Sequence, residues 1–249
     1  MMRFLVPGLS LDEDVAIIPA DICHHAFRVR RLRAGETFII NNGMGSSATA
    51  VIDEWSHGHA NARITGKVHI NTELPVDIIV CQALPKSAER IEQVLQHGTE
   101  LGATSFVVFA GDRSVAKLES NDKVNKRLER WTSIIRSAAE QSGRARLPEI
   151  SWHTSLRDAI KQIEHPLLIL HEEADTPLRS IVRSQVAPNR GFALIVGPEG
   201  GLSPDEVTTC RNKGGTAISL GPRILRTETA ALAAIAQLSF AIESEHDQL

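Results

Sequence analysis

Phe192-Ala193-Leu194-Ile195-Val196-Gly197-Pro198-Glu199-Gly200-Gly201 decides how this chain is read. Five consecutive apolar residues form the pattern of a strand covered on both faces, as in a parallel sheet. Glycines directly after such a strand let the backbone approach a ligand closely and take positive φ angles. The next helix start is well marked: Ser203 can cap it, Pro204 suits its first turn, and Glu206 completes an S-x-x-E box. The glycine loop therefore falls at the carboxyl end of a buried strand, where open α/β sheets bind ligands.

A second strand-to-helix loop has the same character. Ile218-Ser219-Leu220 leads into Gly221-Pro222-Arg223-Ile224-Leu225-Arg226, and Thr227 can cap the apolar helix that follows. One strand–helix unit separates the two loops, which is expected to set them side by side on neighbouring strands. Neither is G-x-G-x-x-G or the P-loop pattern G-x-x-x-x-G-K-[ST], which disfavours a conventional dinucleotide or triphosphate site. Arg223 and Arg226 add fixed positive charge beside backbone amides, suited to an anionic base or a phosphate. With one loop alone, ordinary turns carrying solvated arginines would be the better reading.

Outward from these loops, the chain after residue 75 alternates strand and helix. Strands are expected at Val76–Cys81, Ser105–Ala110, Leu167–Leu170 and Ala217–Leu220 in addition to Phe192–Val196. Helices are expected at Ser87–Leu101, Asp122–Gln141, Thr176–Val186, Pro204–Lys213 and Glu228–Ile242. In the first of these, Ile91, Val94, Leu95 and Leu101 share one stripe. The alternation implies a mostly parallel sheet with helices on both faces. Residues 1–72 differ. Short apolar stretches (Phe4–Val6, Val15–Ile18, Phe38–Ile40, Ala48–Ile52, Ala60–Ile64) stand between turn formers, with one arginine-dense helix expected over His24–Arg33. This is the pattern of a small β-rich barrel carrying one helix, and Glu73-Leu74-Pro75 is its expected hinge.

The bulk numbers set the frame. The chain has 249 residues, 42% hydrophobic and 23% charged, enough for a sizeable core in one or two domains. A formal net charge of −3 argues against a generally basic nucleic-acid coat but permits a local basic face. Cys23, Cys81 and Cys210 are odd in number and far apart, which supports neither a disulfide framework nor a zinc ribbon. Cys23-His24-His25 and His57-Gly58-His59 lack partner ligands at recognisable spacings, so no metal is expected. The N-terminus does not resemble a signal peptide and no apolar run is long enough for a membrane span, so a cytoplasmic protein is expected.

Gly197–Gly201 followed by Leu220–Ala230 resembles the signature of the RsmE family, SPOUT-type methyltransferases that methylate uridine N3 in small-subunit (16S) ribosomal RNA. Further stretches agree: Gln96 with Glu100-Leu101-Gly102, Ala139-Glu140-Gln141-Ser142-Gly143-Arg144, and Pro148-Glu149. The resemblance spans nearly the whole chain in order. It departs after Gln96, where His97 stands at an expected lysine, so a fixed positive charge is not supplied there. The resemblance implies an α/β protein: a PUA-like RNA-binding β-barrel domain over 1–72 and a SPOUT methyltransferase domain over 75–249. The cofactor-binding trefoil knot would span about 192–242. It further implies S-adenosylmethionine as cofactor, 16S rRNA or the small ribosomal subunit as partner, and a homodimer.

On that reading the candidate catalytic residues are Arg226 and Arg223, stabilising the uridine anion, with Glu199 or Glu228 as proton acceptor. Glu228 lies in a first helical turn, where the macrodipole favours an acid for structural reasons alone. The adenosine is expected against Leu170, His171, Gly197, Pro198, Glu199, Gly200, Gly201, Leu220, Gly221, Ile224, Leu225 and Thr229. RNA phosphates would meet Arg3, Arg28, Arg30, Arg31, Arg33, Lys86 and Arg144, with Arg113, Arg136 and Arg146 extending the track. Trp131 is read as a packing residue. Two alternatives remain open: a SPOUT enzyme acting elsewhere on rRNA or tRNA, such as a ribose 2′-oxygen, and a non-catalytic RNA-binding assembly factor.

Overall fold

The computed structural model describes residues 1–23, 32–56, 59–118, 120–185 and 191–246. Two compact units divide the chain: Met1–Glu73 with Ala139–Leu147, and Leu74–Ala138 with Pro148–Leu249.

In the first unit, all five apolar stretches form strands: β1 (Arg3–Leu5), β2 (Val15–Ile18), β3 (Thr37–Asn41), β4 (Ser47–Ser56) and β5 (His59–Val68). They make one sheet in the order β1-β3-β4-β5-β2. The β1–β3 pair is parallel and the others are antiparallel. Alternation along the strands turns Phe38, Ile40, Ala48, Ala50, Ile52, Ala60 and Ala62 into one core with Phe4 and Ile18. Phe4 and Phe38 meet edge to face with ring centroids 5.6 Å apart. A short helix α1 (Ala20–Cys23) precedes the arginine-rich helix expected over His24–Arg33, of which residues 24–31 lie outside the described residues.

The second unit holds a six-stranded sheet. Its strands are β6 (Ile78–Ala83), β7 (Ser105–Phe109), β8 (Glu149–His153), β9 (Leu167–Leu170), β10 (Phe192–Val196) and β11 (Thr216–Ile218). Every pair is parallel. The helices are α2 (Ala88–Glu100), α3 (Asn121–Ser142), α4 (Leu156–Ile160), α5 (Leu178–Gln185), α6 (Pro204–Asn212) and α7 (Thr227–His246). One face of the sheet gives Cys81, Ala83, Ile169, Ala193 and Ile195 to a core shared with α4 and α6. Helices α7 and α2 pack together, and α7 also covers β10 and β6. Gly98 of α2 permits this approach, because a Cβ there would sit 3.0 Å from Phe106 and 3.4 Å from Ile235 of α7. Trp131 is fully buried, as a packing residue should be.

Two elements escape the sequence pattern. Strand β8 lies at the sheet edge and is half-buried, without the continuous apolar run that marks its neighbours. Helix α4 has five residues, too few to show a period, though Ser155 caps it by accepting from the Asp158 N–H. The strand order β11-β9-β10-β6-β7-β8 corrects a third expectation. The strands preceding the two glycine loops are not neighbours, because β9 lies between them and pairs with both.

Candidate active site

The insertion of β9 shapes the site. Strands β10, β9 and β11 end together, and their loops enclose a cavity of about 640 Å³ within the second unit. Leu170, His171, Gly197, Pro198, Glu199, Gly200, Gly201, Leu220, Gly221, Ile224 and Leu225 all line it, as do Arg223 and Arg226. Thr229 does not. Helix α7 begins at Thr227, so a residue two positions on turns to another face and is exposed, whereas Thr227 itself lines the cavity.

The first loop is held tightly. A Cβ on Gly197 would lie 2.7 Å from the Leu202 nitrogen and 2.8 Å from the Gly201 carbonyl carbon, so the turn closes only with glycine there. Gly201 takes φ +72°, and Ser203 and Glu206 form the full capping box at the start of α6. The Arg113 guanidinium donates to the Gly200 carbonyl at 2.8 Å. Thr227 serves this loop rather than capping its own helix. Its hydroxyl donates to the Gly197 carbonyl at 2.6 Å and accepts from the buried Gln82 amide at 2.9 Å. The first α7 hydrogen bond instead runs from the Ala230 N–H to the Arg226 carbonyl.

The four candidate catalytic residues separate into two pairs. Arg223 and Arg226 are exposed at the cavity and have no hydrogen-bond or ion-pair partner among the described residues. Both glutamates instead converge on Arg90, which sequence reasoning missed. Arg90 Nη1 donates to Glu199 Oε1 at 2.7 Å, and its Nε lies 3.8 Å from Glu228 Oε2. The Lys86 backbone N–H also donates to Glu199, at 3.0 Å to Oε1 and 3.2 Å to Oε2. Glu228 is buried behind Arg90, and its Oε2 has no hydrogen-bond partner among the described residues. A signal for Arg90 did exist. It is the third residue of α2, where the helix dipole disfavours a cation unless local acids compensate.

His171 behaves as a satisfied strand-end residue: its N–H donates to the Ile218 carbonyl and its Nδ1 accepts from Glu173 N–H at 3.3 Å. His97, at the expected lysine position, pairs with Glu100 at 2.9 Å on α2. Cys81 and Cys210 are both buried. Burial pushes both thiols up, Cys210 to about 12, with Cys210 adding to the rise at Cys81 and Glu206 to that at Cys210.

Among the residues expected at RNA, Arg28, Arg30 and Arg31 lie outside the described residues, while Arg33 and Lys86 are exposed. Arg3 is exposed and donates to the Gly143 carbonyl at 3.2 Å. Arg144 corrects the expectation. Only 2% of its side chain is accessible, and Nη2 meets Glu73 Oε2 at 2.6 Å. Backbone N–H groups of Ala145 and Arg146 also donate to Glu73. Burial acts to raise the Glu73 carboxyl. The Arg144 hydrogen bonds and charge, with the two backbone donors, outweigh it and hold the group below the usual carboxylate range.

Residues 72–239 match the family model of an RNA methyltransferase domain, and residues 18–65 match that of an RNA methyltransferase PUA domain. A ribosomal RNA small subunit methyltransferase E from Mycobacterium bovis is 36% identical over 240 residues, covering 94% of this chain and 89% of the relative. This chain belongs to that family. The Bacillus subtilis member is 32% identical, with coverage of 91% and 90%. The crystal structure of the Neisseria gonorrhoeae methyltransferase E bound to S-adenosyl methionine superposes with a TM-score of 0.85 at 31% identity, covering 96% of this chain and 97% of that one. The architecture is thus mixed α/β with a PUA-like domain and an RNA methyltransferase domain.

Proposed function

We propose that this protein transfers a methyl group from S-adenosylmethionine to N3 of a uridine in small-subunit (16S) ribosomal RNA. The observation that carries the reading is the cavity at the ends of β9, β10 and β11, with Arg223 and Arg226 at its wall, neither partnered among the described residues. Its volume, about 640 Å³, is within the range of small-ligand sites. The residues fit the cofactor. The Gly197 turn is closed to any side chain, the backbone of Leu220 can meet a purine edge, and Leu220, Ile224 and Leu225 offer apolar walls. When bound, S-adenosylmethionine supplies an activated methyl group.

The chain's own residues supply the rest. Uridine N3 becomes nucleophilic only when its proton leaves, which spreads negative charge onto the flanking carbonyl oxygens. Arg226 stabilises that charge electrostatically, with Arg223 beside it. Glu199 is a carboxylate at the cavity wall on the glycine loop, and we assign it as proton acceptor. Glu228, buried behind Arg90, takes a supporting part.

The PUA-like domain, closed as a β-barrel, would bring Arg3 and the arginines from Arg28 to Arg33 to RNA phosphates, with Lys86 adding to the contact. A trefoil knot over about 192–242 is supported by α7, which leaves the edge strand β11 and returns to pack on β10, β6 and α2. We also infer a cytoplasmic homodimer; the pairing is supported by α7, which buries Ala231, Ala234, Ile235 and Leu238 and still leaves Phe240 74% exposed. No helix among the described residues is long and apolar enough to cross a membrane.

Mass spectrometry of small-subunit rRNA from a deletion strain tests the assignment. Loss of 3-methyluridine is expected, and its persistence would overturn the substrate. With purified protein, Arg226→Ala should lower turnover about 100-fold while S-adenosylmethionine affinity stays within about threefold of wild type. Equal losses in both would make Arg226 a binding residue.

A further inference from the structure

Two of the segments that wall the cavity, the glycine loop and the arginine-bearing turn, follow strands that do not pair, since β9 separates β10 from β11. Arg90, from a third element, reaches acids on both. Glu199 belongs to the glycine loop after β10 and meets Arg90 Nη1 at 2.7 Å. Glu228 belongs to the first turn of α7, directly after the arginine-bearing turn, and lies 3.8 Å from Arg90 Nε. Arg90 itself lines the cavity.

The chemistry of the three groups makes this more than a surface ion pair. The side chains of Arg90 and Glu199 are 30% and 32% accessible, and that of Glu228 is 12% accessible. Glu228 Oε2 is fully buried without a hydrogen-bond donor among the described residues, so Arg90 is its nearest compensation. A buried carboxylate oxygen without a counter-charge is costly. The attraction therefore draws the guanidinium toward Glu228 and fixes it at the α2 terminus. There a planar fork can serve two carboxylates at once, which a point charge cannot do.

From this arrangement we infer that Arg90 is a positioning residue: anchored by buried Glu228, it clasps Glu199 and sets the glycine loop against the opposite wall for the cofactor. The Lys86 N–H assists by donating to both Glu199 oxygens, so the loop is held by one side chain and one backbone group. The inference rests on the cofactor assignment above. It adds a cause of loop order that neither the glycine motif nor the arginine-bearing turn contains.

Calorimetric titration of the full-length protein with S-adenosylmethionine tests it. Arg90→Ala should weaken binding about tenfold, and Arg90→Lys should recover only part of that loss, staying about fivefold weaker than wild type, because a point charge cannot serve both carboxylates. Glu199→Gln should weaken binding by a similar factor. The double variant Arg90→Ala/Glu199→Gln should be no weaker than Arg90→Ala alone, because one interaction cannot be lost twice. With thermal melts confirming folded protein, Arg90→Ala binding within about twofold of wild type would overturn the clasp. Additive losses in the double variant would do the same. Should Arg90→Ala not fold, Glu199→Gln and Arg90→Lys carry the test, since unchanged affinity in Glu199→Gln also refutes it. Failure of the wild-type protein to bind S-adenosylmethionine would instead refute the cofactor assignment.

Discussion

Gly143-Arg144-Ala145-Arg146 and Gly221-Pro222-Arg223-Ile224-Leu225-Arg226 look alike as sequence. Each opens on a glycine with positive φ, +74° and +118°, and each carries two arginines. Their surroundings are opposite. In the first segment Arg144 is buried against Glu73, which also takes the backbone N–H groups of residues 145 and 146. In the second, both arginines are exposed and unpartnered among the described residues, while Ile224 stands 80% exposed. A glycine followed by arginines therefore has no fixed meaning. An acid within reach turns the arginine into a structural bolt, and its absence leaves a cation available to a ligand.

The largest effect should come from the first segment. Arg144→Ala would leave Glu73 a largely buried carboxylate without its counter-charge, held by two backbone N–H groups alone, and should cost about 3–5 kcal/mol of stability in urea melts. A loss below about 1 kcal/mol would equate Arg144 with an exposed pair and erase the contrast. Acid titration examines the same contact. Because the folded Glu73 carboxyl lies below its ordinary value, its contribution is present above about pH 4.5 and is lost as pH falls through the lower folded value. Wild-type stability should therefore decline below about pH 4.5 more steeply than that of Glu73→Gln, which starts lower at neutral pH.

Around the second segment, sensitivity should be confined to Thr227, the buried residue that follows it at the start of α7. Thr227→Val removes a hydroxyl that donates to Gly197 and accepts from Gln82, and should cost about 1–3 kcal/mol. Arg223→Ala and Arg226→Ala should stay within about 0.5 kcal/mol of wild type in the same melts, even as Arg226→Ala loses turnover. If either arginine proved as costly to fold as Thr227, the turn would be internally braced and the comparison would fail.

Much of the site was legible because it is local. The buried run Phe192–Val196, the tight Gly197 turn and the Ser203–Glu206 box each lie within a few residues, and periodicity and capping report such features directly. The strands of the first unit were legible for the same reason. Arg90 was not, because the acid that defines it lies 109 positions away. Thr229 was a near miss of a different kind: the position of a helix start decides which residue of Thr227-Glu228-Thr229 faces the cavity.

The sequence by itself determined two regions of different pattern, a glycine loop at the end of a buried strand, a second loop rich in arginine, and the family these belong to. Only the tertiary structure decided that β9 stands between the two loop-bearing strands, that Arg144 is bolted to Glu73, and that Arg90 joins Glu199 to Glu228. The physical reason is the same in each case. Burial period and end-capping are properties of one element, whereas strand order and the pairing of distant charges arise only when separate elements pack.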